Sequence, residues 1–482
     1  MSSRRHVHFV AIGGTGMGSL AGLLKARGFL VTGSDDELYP PMSTALEDWG
    51  IPVFSGFSAD HLESDAGQPD CVVIGNAVRA DNPEARAALA RAERSDLAVL
   101  SFPDALFTYG LEGRHRVVVS GTHGKTTTTS LLASILTACG RDPSVLVGGI
   151  SLDLGGSFRD GAGPHFVVEG DEYDTAFFDK TPKFLHYHPD TLVLTSIEFD
   201  HADIYRDLDH VREAFVSLVA GLSPDALLVA NTDDPEVRRV VSEAGCRVVT
   251  YALEGGTEAD WVAGSIRPGS QATRFEVRAP GERAEVSLPL FGAFNVANAL
   301  AALAATGGLG VPLREGARAL AGFAGVKRRQ ELRFESRGLR VFDDFAHHPT
   351  AVAGSVASMR DRFPGERILA VFEPRTNTSR RRIFQQAYAV SLAAADRVIV
   401  RRVAPGDLYS ATGEVTEFFS SDLLVADLET RGTRASAHDD VDSMVAEIVA
   451  VAEPGDVVLV MSNGSFDNLW GRLEEALDTK AE

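Results

Sequence analysis

The stretch VVVSGTHGKTTTTSLLASIL, from Val117 to Leu136, reads as a buried strand, a glycine-bearing turn and a helix in direct succession. Gly121, Thr122, His123, Gly124, Lys125, Thr126 and Thr127 form the turn and the first helical residues. Backbone N–H groups in such a turn cradle phosphate oxygens, the lysine reaches the β- and γ-phosphates, and the hydroxyl after it ligates Mg²⁺. The usual form of this loop begins with a glycine where this chain has Val119. The pattern serves kinases, motor NTPases, GTP switches and ligases alike, so the remainder of the chain has to choose among them.

Moving outward, the next apolar run ends in VVEGDEYD, which places Glu169 at a strand end beside the phosphate turn, where a metal ligand belongs. His201 lies in SIEFDHADIY, just past another strand, flanked by Glu198, Asp200 and Asp203. Ligands bind at the carboxyl ends of parallel strands, so a second metal position is expected there. Far upstream, Gly13, Gly14, Thr15, Gly16, Met17 and Gly18 stand between a strand and a helical run, with Asp35 after the second strand. That is the pyrophosphate-and-ribose pattern of a dinucleotide fold, and it keeps a redox enzyme holding NAD or FAD in play. A simple dehydrogenase has no use for the second phosphate loop.

The whole chain follows this βα rhythm, which is that of an α/β protein with parallel sheets. HVHFVAI (6–12), LVTGSD (30–35) and CVVIGN (71–76) read as strands of a first segment ending near Tyr109. RVVVSG (116–121), HFVVEG (165–170), TLVLTSI (191–197) and ALLVAN (226–231) belong to a second. Short alternating pieces over 262–291 suggest hairpins, and FNVANALAALAATGGLG a helix. LRVFDDFAH (339–347), RILAVFEP (367–374), DRVIVRRV (396–403) and DVVLVMSNGS (456–465) make a third series.

With 46 Lys and Arg against 67 Asp and Glu in 482 residues, the net charge is −21, which argues against a nucleic-acid surface. No apolar run reaches the roughly 18 residues of a membrane span, so a cytoplasmic protein with no membrane partner is expected. The three cysteines, Cys71, Cys139 and Cys246, form no CxxC pair and indicate neither a disulfide framework nor a zinc site.

GTHGKTTT, the glutamate of VVEGDEYD, DHADIY, FNVANALAA and DDFAHHPT follow one another in the order seen in the Mur ligases, which this chain resembles over essentially its full length. The resemblance implies three domains. Residues 1–110 would be a Rossmann-like domain binding a UDP-sugar, 111–325 a central P-loop ATPase domain with a parallel sheet plus short antiparallel strands, and 326–482 a Rossmann-like domain bringing the amino substrate. It also implies the chemistry. A substrate carboxylate attacks the γ-phosphate of ATP, and the resulting acyl phosphate is attacked by an amine to give an amide, ADP and phosphate.

By the same resemblance Lys125 holds the ATP phosphates, Thr126 and Glu169 ligate one Mg²⁺, and His201 ligates a second. Asn295 and Asn298 lie on the adenine side, Arg329 reaches the phosphates, Asp344 sits near the ribose, and His347 and His123 face the substrates. Gly13 to Gly18 and Asp35 would meet the uridine nucleotide. The lysine that many members carbamylate past the metal histidine has no counterpart in VREAFVSLV, as in the branch that takes UDP-N-acetylmuramate itself. Phe294 stands where a histidine is common and Phe345 where a tyrosine is common.

Within that branch FEPRTNTSR (372–380), YPPMST (39–44) and DEYDTAFFDKTPKF (171–184) resemble the members that add the recycled murein tripeptide L-alanyl-γ-D-glutamyl-meso-diaminopimelate. Arg375 and Asn377 are then candidates for its carboxylates. Addition of free L-alanine is the alternative, and an NAD-dependent oxidoreductase or a non-catalytic nucleotide-binding protein are remoter ones. A monomer or weak homo-oligomer is expected.

Overall fold

The apolar runs become parallel strands because both of their faces are covered, which is the condition under which a strand has no need to alternate polar and apolar residues. In the computed structural model, which describes residues 5–63, 67–94, 97–403, 408, 410–411, 413 and 415–479, the chain forms two compact units. One comprises Met1–Ile197, Arg212–Trp261 and Ala301–Ala319; the other comprises Glu198–Val211, Val262–Leu300 and Leu320–Glu482.

The first unit holds a five-stranded parallel sheet in the order Val53–Ser55, Leu30–Asp35, His6–Val10, Cys71–Ile74, Ala98–Ser101. The first strand stops at Val10, short of the expected Ile12, because Ala11 turns to φ +64° and opens the glycine loop. A second sheet in this unit runs Arg247–Leu253, Leu227–Asn231, Thr191–Leu194, His115–Ser120, His165–Gly170, Ser144–Ser151, Gly156–Arg159. All neighbours are parallel except the last pair, an antiparallel edge that the sequence reading passed over. DEYDTAFFDKTPKF contains a small antiparallel hairpin, Asp174–Ala176 with Asp179–Pro182.

The expected hairpins appear as three antiparallel strands, Trp261–Pro268 (in the second unit from Val262 on), Thr273–Ala279 and Glu282–Leu288. The sheet beyond them has the order Glu331–Ser336, Leu339–Asp344, Val457–Met461, Ile368–Phe372, Arg397–Arg401, Arg434–His438. Its first pair is antiparallel and the rest parallel.

Alternation inside these strands sends residues to opposite faces. Phe342, Ala370, Phe372, Val398, Val400, Leu459 and Met461 pack with Val352, Val356, Met359, Tyr388 and Leu424 on one face. Val341, Leu369, Val371, Ile399, Val458 and Val460 pack with Met444, Ile448, Leu469 and Leu473 on the other. The helix expected from FNVANALAALAATGGLG spans Ala293–Gly308. Among the described residues no helix is long and apolar enough to cross a membrane.

Candidate active site

In the first unit the phosphate turn is built where the strand His115–Ser120 meets the helix Lys125–Ala138. Gly124 caps that helix at φ +82° and Gly121 sits at φ +133°, a backbone that L side chains avoid. A Cβ on Gly121 would collide with the Thr195 hydroxyl and the Ser196 backbone. The strand end after Leu194 supplies the other wall. Ser196 O accepts the Thr122 N–H at 2.9 Å, Ser196 Oγ accepts the His123 N–H at 3.0 Å, and the Thr195 hydroxyl donates to His123 O at 2.6 Å. Val119, where the usual loop has glycine, is fully buried inside the strand and registers with Glu169 on the neighbouring one. The turn begins two residues later, so no glycine is needed there.

Lys125 donates from Nζ to Gly121 O at 2.7 Å and to Glu172 Oε2 at 2.7 Å. Burial alone would push its pKa down; Glu172, Asp171 and Glu169 outweigh burial and hold the ammonium above its ordinary value. The Thr126 hydroxyl donates to Glu169 Oε2 at 3.0 Å, and Glu169 Oε1 accepts the Gly148 N–H at 2.6 Å. A buried hydroxyl oxygen beside a buried carboxylate is a hard-oxygen pair suited to Mg²⁺. N–H groups at a helix N-terminus beside a lysine suit a polyphosphate.

The upstream glycine loop has its own construction. Asp35 Oδ2 accepts the Gly13 N–H at 2.7 Å, tying the loop to the end of the second strand. Thr15, Gly16, Met17 and Gly18 form the first turn of the helix Thr15–Ala26, and Gly14 precedes it. A Cβ on Gly18 would overlap Met42, so this glycine serves helix packing, while Gly14 faces open space.

In the second unit Asp200, His201 and His347 come together. His201 adopts φ +51°, and the Asp200 carboxylate accepts the His201 N–H at 2.7 Å. Nε2 of His347 is 3.8 Å from Asp200 Oδ2. Burial would raise Asp200, but His201, His347 and His348 hold it well below the usual carboxylate range. Thr378, buried, accepts the Ala202 N–H at 3.0 Å and so anchors the histidine loop to the turn that carries Asn377.

Asn295 and Asn298 are buried one turn apart on their helix and joined at 3.3 Å. Asp344, also buried, accepts the Gln330 and Ala346 N–H groups at 3.1 and 2.7 Å. Arg329 lies over the Phe345 ring at 4.8 Å and Arg328 over the same ring at 5.2 Å, so the phenyl found in place of a tyrosine stacks with guanidinium groups. Phe294 lies against Gly292 and Gly354, where a Cβ would crowd its ring. Arg375 is exposed and lies against the backbone of Gly464, at the carboxyl end of the sheet. Beneath it the loop Ser462–Gly464 is wired through its carbonyls to Arg328, at 2.6 and 2.8 Å.

Sequence reasoning missed Glu172, Thr195, Ser196, Thr378 and Arg328. Glu172 had a signal, a further acid three residues after Glu169 in the same quoted motif. Thr195, Ser196 and Thr378 lie inside quoted stretches, but neither they nor Arg328 carry a signal of their own, and only pairing across the fold marks them.

Three family models match the chain: "Mur ligase family, catalytic domain" over residues 6–98, "Mur ligase middle domain" over 119–306 and "Mur ligase, glutamate ligase domain" over 328–464. The UDP-N-acetylmuramate–L-alanyl-γ-D-glutamyl-meso-2,6-diaminoheptandioate ligase of Escherichia coli is 39% identical over 478 residues, 99% of each chain. The UDP-N-acetylmuramate–L-alanine ligase of a Nocardioides species is 37% identical over 475 residues, covering 98% of this chain and 96% of its own. A crystal structure of a murein peptide ligase from Psychrobacter arcticus superposes with a TM-score of 0.74 at 32% identity, covering 98% of both chains. With the ordered motifs carried on this fold and similarity along its whole length, the chain belongs to the Mur ligase family.

Proposed function

We propose that this ligase joins the carboxylate of UDP-N-acetylmuramate to the free amine of L-alanyl-γ-D-glutamyl-meso-diaminopimelate, converting ATP to ADP and phosphate. The observation that carries the choice of amine is full-length identity of 39% to a ligase named for that tripeptide. The substrate carboxylate attacks the γ-phosphate and becomes an acyl phosphate. The amine then adds to that carbonyl and phosphate leaves, so a poor electrophile is given a leaving group. The protein's share is placement and charge neutralisation.

Lys125 and the N–H groups of Gly124 to Thr127 hold the phosphates, while those of Thr122 and His123 fix the turn to Ser196. Thr126 and Glu169 fit Mg²⁺, which supplies positive charge to the transferring phosphoryl group. In the second unit His201 serves a further Mg²⁺, Asn295 and Asn298 the adenine side, Asp344 the ribose and Arg329 the phosphates, with His347 toward the substrates. Gly13 to Gly18 meet the pyrophosphate of the UDP-sugar, with Asp35 bracing them. Arg375 and Asn377 take the trailing carboxylates of the tripeptide.

The L-alanine ligase of similar identity supports a second reading, in which the amine is L-alanine. ADP release with UDP-N-acetylmuramate and, in parallel, tripeptide, L-alanine or diaminopimelate decides between them. Preference for the tripeptide is expected; preference for L-alanine overturns the first reading in favour of the second.

A further inference from the structure

The geometry points to Glu172 as a positioning residue that aims the Lys125 ammonium at the nucleotide. This deepens, and rests on, the reading of Lys125 as the phosphate-holding lysine. An ammonium has three donors. Here two are taken by fixed protein acceptors at 2.7 Å each, Gly121 O within the loop and Glu172 Oε2 beside it. Only one direction is then left for a phosphate oxygen, and the two protein bonds determine it.

Glu172 is suited to this task because it is itself held. Its side chain is 3% exposed. The segment carrying it is pinned on both sides, by the Lys183 N–H on Tyr173 O at 3.2 Å and the Phe184 N–H on Asp171 O at 3.2 Å. Lys183 lies over the Tyr173 ring at 4.1 Å, which keeps that turn packed. Glu169 is placed differently, its two oxygens meeting the Thr126 hydroxyl and the Gly148 N–H. Two carboxylates of one strand end thus divide the site, Glu169 on the hydroxyl and Glu172 on the lysine.

A fixed anion beside the loop has two opposite effects. It repels the polyphosphate in the ground state, and it orients the cation that must follow the moving phosphoryl group. Glu172→Gln should therefore tighten ADP binding by roughly 3–10-fold, through loss of one nearby negative charge, while kcat falls by about tenfold or more through loss of orientation. Glu172→Asp, which keeps the charge and shortens the reach, should recover part of kcat.

The test measures kcat, KM for ATP, ADP affinity by calorimetry and Tm for wild type, both Glu172 variants and Lys125→Ala. An unchanged kcat in Glu172→Gln overturns the inference, as does a parallel loss of kcat, nucleotide affinity and Tm. If Glu172→Gln does not fold, Glu172→Asp carries the test: its kcat must fall at unchanged Tm. Lys125→Ala separates the two levels. Full turnover in that variant overturns the reading of the loop and this inference with it. An inactive Lys125→Ala beside an unchanged Glu172→Gln overturns this inference alone.

Discussion

Lys125 and Thr126 are neighbours in sequence but face different carboxylates, and their variants should fail differently. Lys125→Ala removes the cation that offsets charge on the transferring phosphoryl group, so turnover should be abolished in a variant that still folds; ADP release from the folded variant checks it. Glu169→Ala removes the carboxylate beside the Thr126 hydroxyl. It should shift the Mg²⁺ requirement to higher concentration and cut activity strongly, which a magnesium titration reads directly. Arg375 lies exposed over Gly464 at the end of the second unit's sheet, and a planar guanidinium grips a carboxylate in two places. Arg375→Ala should raise KM for the tripeptide on the order of 10–100-fold, from a charge-assisted hydrogen bond of about 1.5–3 kcal/mol. KM for ATP should stay nearly the same, and a rise in both would remove Arg375 from the amine site.

At the scale of elements, three parallel strands begin side by side with His115, His165 and Thr191. The rings of His115 and His165 are 5.6 Å apart, and His115 Nε2 is 2.9 Å from the Thr191 hydroxyl. Burial lowers the pKa of both imidazoles from 6.5; Arg116 adds to it on His115 against the pull of Asp190, and His115 and Arg141 add to it on His165. The unfolded chain therefore binds protons that the folded one refuses. Stability is complete above the unfolded pKa and falls as pH drops through it, until the folded imidazoles also protonate. The melting temperature should decline from about pH 7 to about pH 5, and His165→Gln should make that decline shallower; an identical pH profile in the variant would assign the loss elsewhere. Asp343 has the opposite sign. Burial raises it to about 6, against the pull of Arg328, so its protonation favours the folded state as pH falls.

On the scale of the whole molecule, a UDP-sugar ligase and a redox enzyme make different use of the first sheet. The loop from Gly13 to Gly18 opens onto the helix Thr15–Ala26, and either ligand's pyrophosphate suits that N-terminus. Calorimetry should detect UDP-N-acetylmuramate binding and none with NAD; the reverse would overturn the assignment of that sheet. What the sequence determined alone is whatever is contiguous along the chain. The apolar runs announce strands buried on both faces, the glycines of the phosphate turn mark the positive-φ backbone at Gly121 and Gly124, and Lys125-Thr126 follow at once in the helix. Ordered motifs then identify the family. The tertiary structure decided what depends on chain segments far apart in sequence. Edge strands such as Gly156–Arg159 are too short and too polar to stand out, and exist because a neighbour offers unpaired backbone groups. Glu172 became the lysine's partner, Thr195 and Ser196 the wall of the turn, and Thr378 the anchor of the histidine loop. An acid, a hydroxyl or an arginine acquires such a role only when folding buries it beside a polar group that must be satisfied, and no local pattern encodes that meeting.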